Sequence, residues 1–353
     1  MRYDGVNVLI TGGLGFIGSN LAIRLVEEGA KVTIVDSLLA GCGGNEHNVA
    51  PVRDQLTILH FDIADAVMFR EEIARSQVIF NLAGEISHIH SMQFPERDLQ
   101  VNTVAQLRFL LECKHAARGV RVVFAGTRQI YGVPRYLPID EAHPIQPVDF
   151  NGIHKYAATM YHSMLTRSGD IDGIVLRLTN VYGPRMALDV TCQGFLSNFL
   201  RKVMLKIPLD VFGDGKQLRD PVYVDDVVEA FLIAGLAPTP PSRSYNVGGR
   251  EALSLCEIAQ AMATAGGGVE ILFRPFPDDQ RAIDIGSYRT DSRRIGRELG
   301  WEQKVDFADG LARTLEFYRR ELPHYLDPNE PNPPCKMPEH SGAARRLMYS
   351  EIS

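Results

Sequence analysis

The sequence predicts an α/β protein built on a doubly wound parallel sheet. Three observations carry this. Short apolar runs alternate with amphipathic stretches through the first half. Runs such as "VVFAG" and "GIVLRL" are apolar throughout, as strands buried on both faces are. A glycine-rich turn joins the first strand to the first helix, and strand–helix alternation places helices on both faces of a parallel sheet. In chain order, the first strand is the apolar run Val6–Thr11, and the helix Phe16–Glu28 opens out of the glycines. The strand Lys31–Asp36 ends on an acid. The strand Leu56–His60, the helix Ala66–Arg75 and the strand Val78–Leu82 follow, then a long helix Glu96–Arg118 and the strand Val120–Ala125. The helix Gly152–Arg167 starts after the Pro-rich turn "HPIQP" and leads into the strand Gly173–Leu178. Beyond Tyr182 the pattern loosens. Helices are expected near Gln193–Lys206, Asp225–Leu236, Ser254–Ala265 and Asp306–Arg320, with a turn at "FGDGKQLRD" and a strand at "SYNVGG". The end, "LDPNEPNPPCKMPEHSG", reads as an extended or disordered tail.

A chain of 353 residues has ample material for a buried core, and its 45% hydrophobic and 23% charged content is ordinary for a soluble protein. A net charge of −6 argues against nucleic-acid and anionic-membrane partners. Five scattered cysteines without metal-type spacing read as free thiols in a reducing compartment. With no cationic leader and no apolar run of membrane length, a cytoplasmic protein is expected.

The most specific stretch is "VLITGGLGFIGSNLAIRLVEEGAKVTIVD". Gly12, Gly15 and Gly18 permit a tight turn and close approach of the backbone to a pyrophosphate. The helix behind them presents N–H groups and the positive end of its dipole. Asp36 closes the second strand, where a carboxylate accepts hydrogen bonds from ribose hydroxyls and repels a 2′-phosphate, which favours NAD over NADP. Asp62, in "LHFDIAD", either contacts adenine or caps the helix that follows. In "VDFNGIHKYAATMY", Asn151 and Lys155 stand one helical turn apart and share a face.

Together with "FNLAG", "RLTNVYGPR", "LRDPVYVDDVVEAF" and "YNVGG", the glycine motif resembles the extended short-chain dehydrogenase/reductases. The closest branch is that of the NAD-dependent nucleotide-sugar epimerases and dehydratases, the UDP-galactose 4-epimerase-like proteins. The resemblance spans roughly Val6 to Arg320. It implies a Rossmann-type domain over residues 1–180, to which the chain returns from its second half, a smaller substrate-binding domain over 181–322 and a tail over 323–353. It implies NAD held by Gly12, Gly15, Phe16, Ile17, Gly18, Asp36, Asp62, Ile63, Leu82, Ala83, Gly84 and Lys155. Thr127 takes the place of the threonine that holds the reacting hydroxyl, and Lys155 that of the lysine on the nicotinamide ribose. Asn180, Arg219 and Arg281 match positions near the diphosphate of a nucleotide sugar, most readily a UDP-sugar. The two arginines suit it by charge-assisted, forked hydrogen bonds. A homodimer through a four-helix bundle of helices 96–118 and 152–167 is also implied.

The sequence departs from that family in two places. Where the family carries a proton-accepting tyrosine, four residues before the lysine, this chain has Asn151, whose amide has no usable proton-transfer pKa. His154, Glu85, His88 and a water held by Asn151, Thr127 and Lys155 are the candidate substitutes. The pair "HIH" lacks the third ligand that a metal site requires. After Thr127, where dehydratases carry an Asp–Glu pair and decarboxylases a Glu, stand Arg128 and Gln129. Arg128 either faces a polar or anionic group or is solvated. The expected activity is therefore epimerisation by transient oxidation of a sugar hydroxyl, C4 in the leading case. The alternatives are a catalytically silent NAD- or nucleotide-sugar-binding protein, or another redox modification of a nucleotide sugar by a dehydratase, decarboxylase or dehydrogenase.

Overall fold

The computed structural model describes residues 1–190, 194–277 and 281–326. Most of the expected C-terminal tail lies outside the described residues. The central layer is a seven-stranded sheet of β1 (Asn7–Thr11), β2 (Lys31–Val35), β3 (Leu56–Leu59), β4 (Val78–Asn81), β5 (Arg121–Thr127), β6 (Asp172–Leu178) and β7 (Ser244–Val247). Their order across the sheet is β7-β6-β5-β4-β1-β2-β3, and every neighbouring pair is parallel. The order reverses between β1 and β4. In open α/β sheets a crevice forms there, beyond the carboxyl ends of the strands, and ligands bind in it.

The helices around the sheet are α1 (Phe16–Glu27), α2 (Arg70–Arg75), α3 (His88–Gln93), α4 (Pro95–Leu99), α5 (Ala105–Ala116), α6 (Phe150–Arg167), α7 (Phe195–Leu205) and α8 (Val224–Leu236). α9 (Leu255–Ala265), α10 (Arg293–Leu299) and α11 (Phe307–Glu321) belong to the second half. Strands buried on both faces need an apolar layer on each side. On one side Tyr3, Phe80 and Phe231 are fully buried, and the Tyr3 hydroxyl donates to Leu232 O at 2.8 Å. On the other, Phe69, Ile73, Phe109 and Leu110 pack over Ile79 and Val122. None of the helices is long and apolar enough to cross a membrane among the described residues.

The expected elements differ from the observed ones in three instructive places. The expected long helix 96–118 is α4 and α5 joined by a wide π turn at Gln100–Val104. In that turn Asn102 donates to Glu85 O, in the loop after β4, and Thr103 to His154 O of α6. The expected helix 66–75 begins instead as a 3₁₀ turn at Ile63, because Asp62 accepts from Ala64 N at 2.8 Å. A kink at Asp65 then separates it from α2. The short helices α3 and α10 had no clear periodic signal.

Under the sheet, His162 of α6 is buried, its ring stacked on Phe124 with centroids 4.3 Å apart. Burial lowers its pKa to about 4. The unfolded ring binds a proton below about pH 6.5, but the folded ring does so only near 4. The unfolded state therefore binds more protons in between, and stability falls as pH drops through that window. His162→Gln is expected to flatten the dependence of the urea midpoint on pH between 6.5 and 4.5. Parallel curves for the two proteins would refute the assignment.

Candidate active site

The glycine turn is built for close backbone approach. Gly12 adopts φ 69°, a region L side chains avoid. A Cβ on Gly18 would stand 2.3 Å from Gly12 O, and one on Gly13 2.7 Å from the Ile34 side chain. No side chain caps α1, so its N–H groups remain available to an anion. Asp36 is held at the end of β2, accepting from Leu14 N at 3.0 Å and Leu38 N at 2.9 Å. Burial pushes its pKa up.

One cavity of about 310 Å³ runs from this turn along the carboxyl ends of the strands to α6 and the start of α7. Every residue expected to hold the cofactor lines it. Asp62 lines it and also caps Ala64 N, the capping reading of the sequence. Thr127, at the end of β5, reaches the same space, as do His88, Arg128, Asn151, Lys155 and Asn180. Gly84 lets Lys155 through, since a Cβ there would lie 2.5 Å from Nζ. The described lining residues include two carboxylates, Asp36 and Asp62, and neither stands with Thr127.

Asn151 is tied from behind. Its Nδ2 donates to Asp98 Oδ2 and to Glu85 O, both at 3.0 Å. Both partners are acceptors, which fixes the amide orientation and leaves Oδ1 for a ligand. His154 Nδ1 lies 2.7 Å from Asp98 Oδ1, and His154 does not line the cavity. The expected base His154 is thus turned to α4, held by a carboxylate that is fully buried. Glu85 also turns away. Its carboxylate pairs with Arg97 at 2.6 Å and accepts from Cys42 Sγ at 3.8 Å, and burial raises its pKa against the pull of Arg97.

His88 stays at the cavity. Gln129 Nε2 lies 2.7 Å from its Nδ1 and 3.3 Å from Asp149 Oδ2, while Asp149 Oδ1 caps α6 through Gly152 N. An amide N–H donating to Nδ1 places the proton of the neutral ring on Nε2. Burial holds His88 below the ordinary imidazole range, with Asp149 opposing. Arg219 and Arg281 are not among the lining residues. Arg219 Nη1 donates to Leu218 O and Gly286 O. The sequence reading missed Asp98 and Asp149. An Asn and a His three apart on one helix face call for a buried acceptor, but nothing local says which carboxylate supplies it.

Fold and cavity together define a dinucleotide-dependent protein in which a threonine and a lysine line the cavity beyond the dinucleotide turn. The chain belongs to the NAD dependent epimerase/dehydratase family, whose model matches residues 8–248. It is 34% identical over 319 residues to the UDP-glucose 4-epimerase of Mycolicibacterium smegmatis, covering 90% of this chain and 99% of that one. Its fold is similar to the UDP-glucose 4-epimerase of Thermotoga maritima solved with UDP-glucose, with TM-score 0.81, 29% identity, and coverage of 90% and 100% of the two chains. It is also similar to the dTDP-glucose 4,6-dehydratase of Streptomyces venezuelae solved with NAD bound, with TM-score 0.80, 26% identity, and coverage of 90% and 98%. NAD is the cofactor, and the glycine cradle and the Asp36 carboxylate fit it.

Proposed function

We propose that the chain is a nucleotide-sugar epimerase that inverts a sugar carbon, C4 in the leading case, by transient oxidation of its hydroxyl. The observation that carries this reading is the meeting of Thr127 and Lys155 on the cavity that also contains the glycine turn and Asp36. Bound NAD supplies hydride acceptance and return at the sugar carbon. Thr127 Oγ1 accepts from Gln129 N at 3.2 Å, which leaves its own proton for the substrate oxygen. Asn151 Oδ1 orients the sugar hydroxyl or a water but exchanges no proton. His88, with its proton on Nε2, donates a hydrogen bond. The hydroxyl proton then falls to Lys155. Its amine has no hydrogen-bond or ion-pair partner among the described residues, and burial lowers its pKa from the ordinary ammonium range. The standard tyrosine is dispensable on this reading because the lysine itself is the base.

Among the described residues lining the cavity, no carboxylate other than Asp36 and Asp62 appears, which supports epimerisation over dehydration, since dehydration needs a second acid–base pair to expel water. The outward faces of α5 and α6 expose Leu111, Ile153, Met160 and Met164, which supports a homodimer through these helices. The test incubates the NAD-loaded protein with UDP- and dTDP-sugars and follows products by chromatography and NADH absorbance. Epimers without net absorbance change are expected. Binding without turnover of any sugar would leave a silent binding protein, and a net rise in absorbance would make it a dehydrogenase.

A further inference from the structure

Arg128 is 9% exposed, lines the cavity directly after Thr127, and Nη1 has no hydrogen-bond partner among the described residues. Its guanidinium stacks on the Tyr288 ring, 4.7 Å from the centroid. The nearest carboxylates that act on it, Asp220 and Asp149, are committed elsewhere. Asp220 accepts from Thr179 Oγ1 and Thr290 N, and Asp149 from Gly152 N and Gln129 Nε2. A buried cation without an anion is costly, and a forked donor set held by an aromatic face is shaped for a planar oxyanion. A second buried cation, Lys155, shares the cavity.

We propose that Arg128 receives a carboxylate carried on the sugar of the substrate, so that the substrate class is a nucleotide-activated uronic acid. This rests on the nucleotide-sugar reading but not on epimerisation. The position favours the sugar over the diphosphate, because Arg128 adjoins the threonine assigned to the reacting hydroxyl. A diphosphate also has its own donors in the N terminus of α7, which lines the cavity at Phe195–Ser197 and carries no side-chain cap.

The experiment measures Kd by calorimetry on the NAD-loaded full chain for UDP, UDP-glucose and UDP-glucuronate, and for the thymidine series. The wild type is expected to bind the uronate at least about tenfold more tightly than the neutral sugar, the usual scale for a charge-assisted bond. Arg128→Met is expected to erase that preference while leaving the free diphosphate unchanged. Arg128→Lys, which keeps the charge but not the fork, is expected to retain part of it. Equal losses for all three ligands would assign Arg128 to the diphosphate and overturn the proposal. A wild type without preference, or a preference that survives in Arg128→Met, would do the same. If no diphosphate or sugar of either series binds, the nucleotide-sugar reading falls and this inference with it. If binding holds but no epimer forms, only the reaction is lost.

Discussion

Lys155→Met is expected to lower turnover by at least about 10²-fold, the lower end of what a positioned acid–base group contributes, while making the protein more stable. The side chain is 6% exposed. Burial disfavours the ammonium form there, and among the described residues no carboxylate lies within hydrogen-bond range of Nζ. Methionine has similar length, fills the same channel past Gly84 and carries no charge to desolvate. The unfolding free energy is expected to rise by about 1 kcal/mol, the trade of stability for function seen at active sites. Steady-state turnover and urea unfolding on the same preparation read both effects. A stable variant with unchanged turnover would remove Lys155 from the chemistry. A variant that loses both would show that the lysine is a structural member of α6. The wild-type rate should also rise with pH through the lowered lysine pKa, since only the free amine accepts the hydroxyl proton, and no such limb should remain in Lys155→Met.

Asp98→Ala is expected to destabilise the protein by about 3 kcal/mol, because two buried donors lose their acceptor at once. Asp98 joins α4 to α6 by holding Asn151 Nδ2 at 3.0 Å and His154 Nδ1 at 2.7 Å. Asn151→Ala removes one of those bonds. The double variant should therefore cost less than the sum of the two singles by about 1 kcal/mol, as neighbours in one network do. Additive losses would mean that Asn151 and Asp98 act independently. Because the network sits behind the cavity, turnover should fall in both singles by less than in Lys155→Met.

Asn151 shows how far the sequence went. Its place one turn before Lys155 was legible from spacing, and its inability to exchange a proton from its chemistry. That the amide is pinned by Asp98, 53 residues earlier, was not legible, since α4 meets α6 only after the chain has crossed β5. His154 shared a helix face with Asn151, and the same acid captured both, which turned a candidate base into a structural partner. Glu85 lay at the correct end of β4, yet Arg97 drew its carboxylate aside. Of the substitutes weighed for the tyrosine, His88 alone among the three side chains kept its place at the cavity, and the Gln129 amide set its tautomer.

The sequence alone determined the sheet, the glycine turn, the acid after β2 and the placing of Asn151 one helical turn before Lys155. Each of these depends on local periodicity, on a backbone conformation that glycine permits, or on neighbours within one strand or one helical turn. Tertiary structure decided which charges remain unpaired. Whether a buried arginine, lysine or glutamate faces an ion-pair partner or a ligand depends on groups brought within a few ångströms from distant parts of the chain. In this fold it left Arg128 and Lys155 facing the cavity and took Glu85 and His154 away from it.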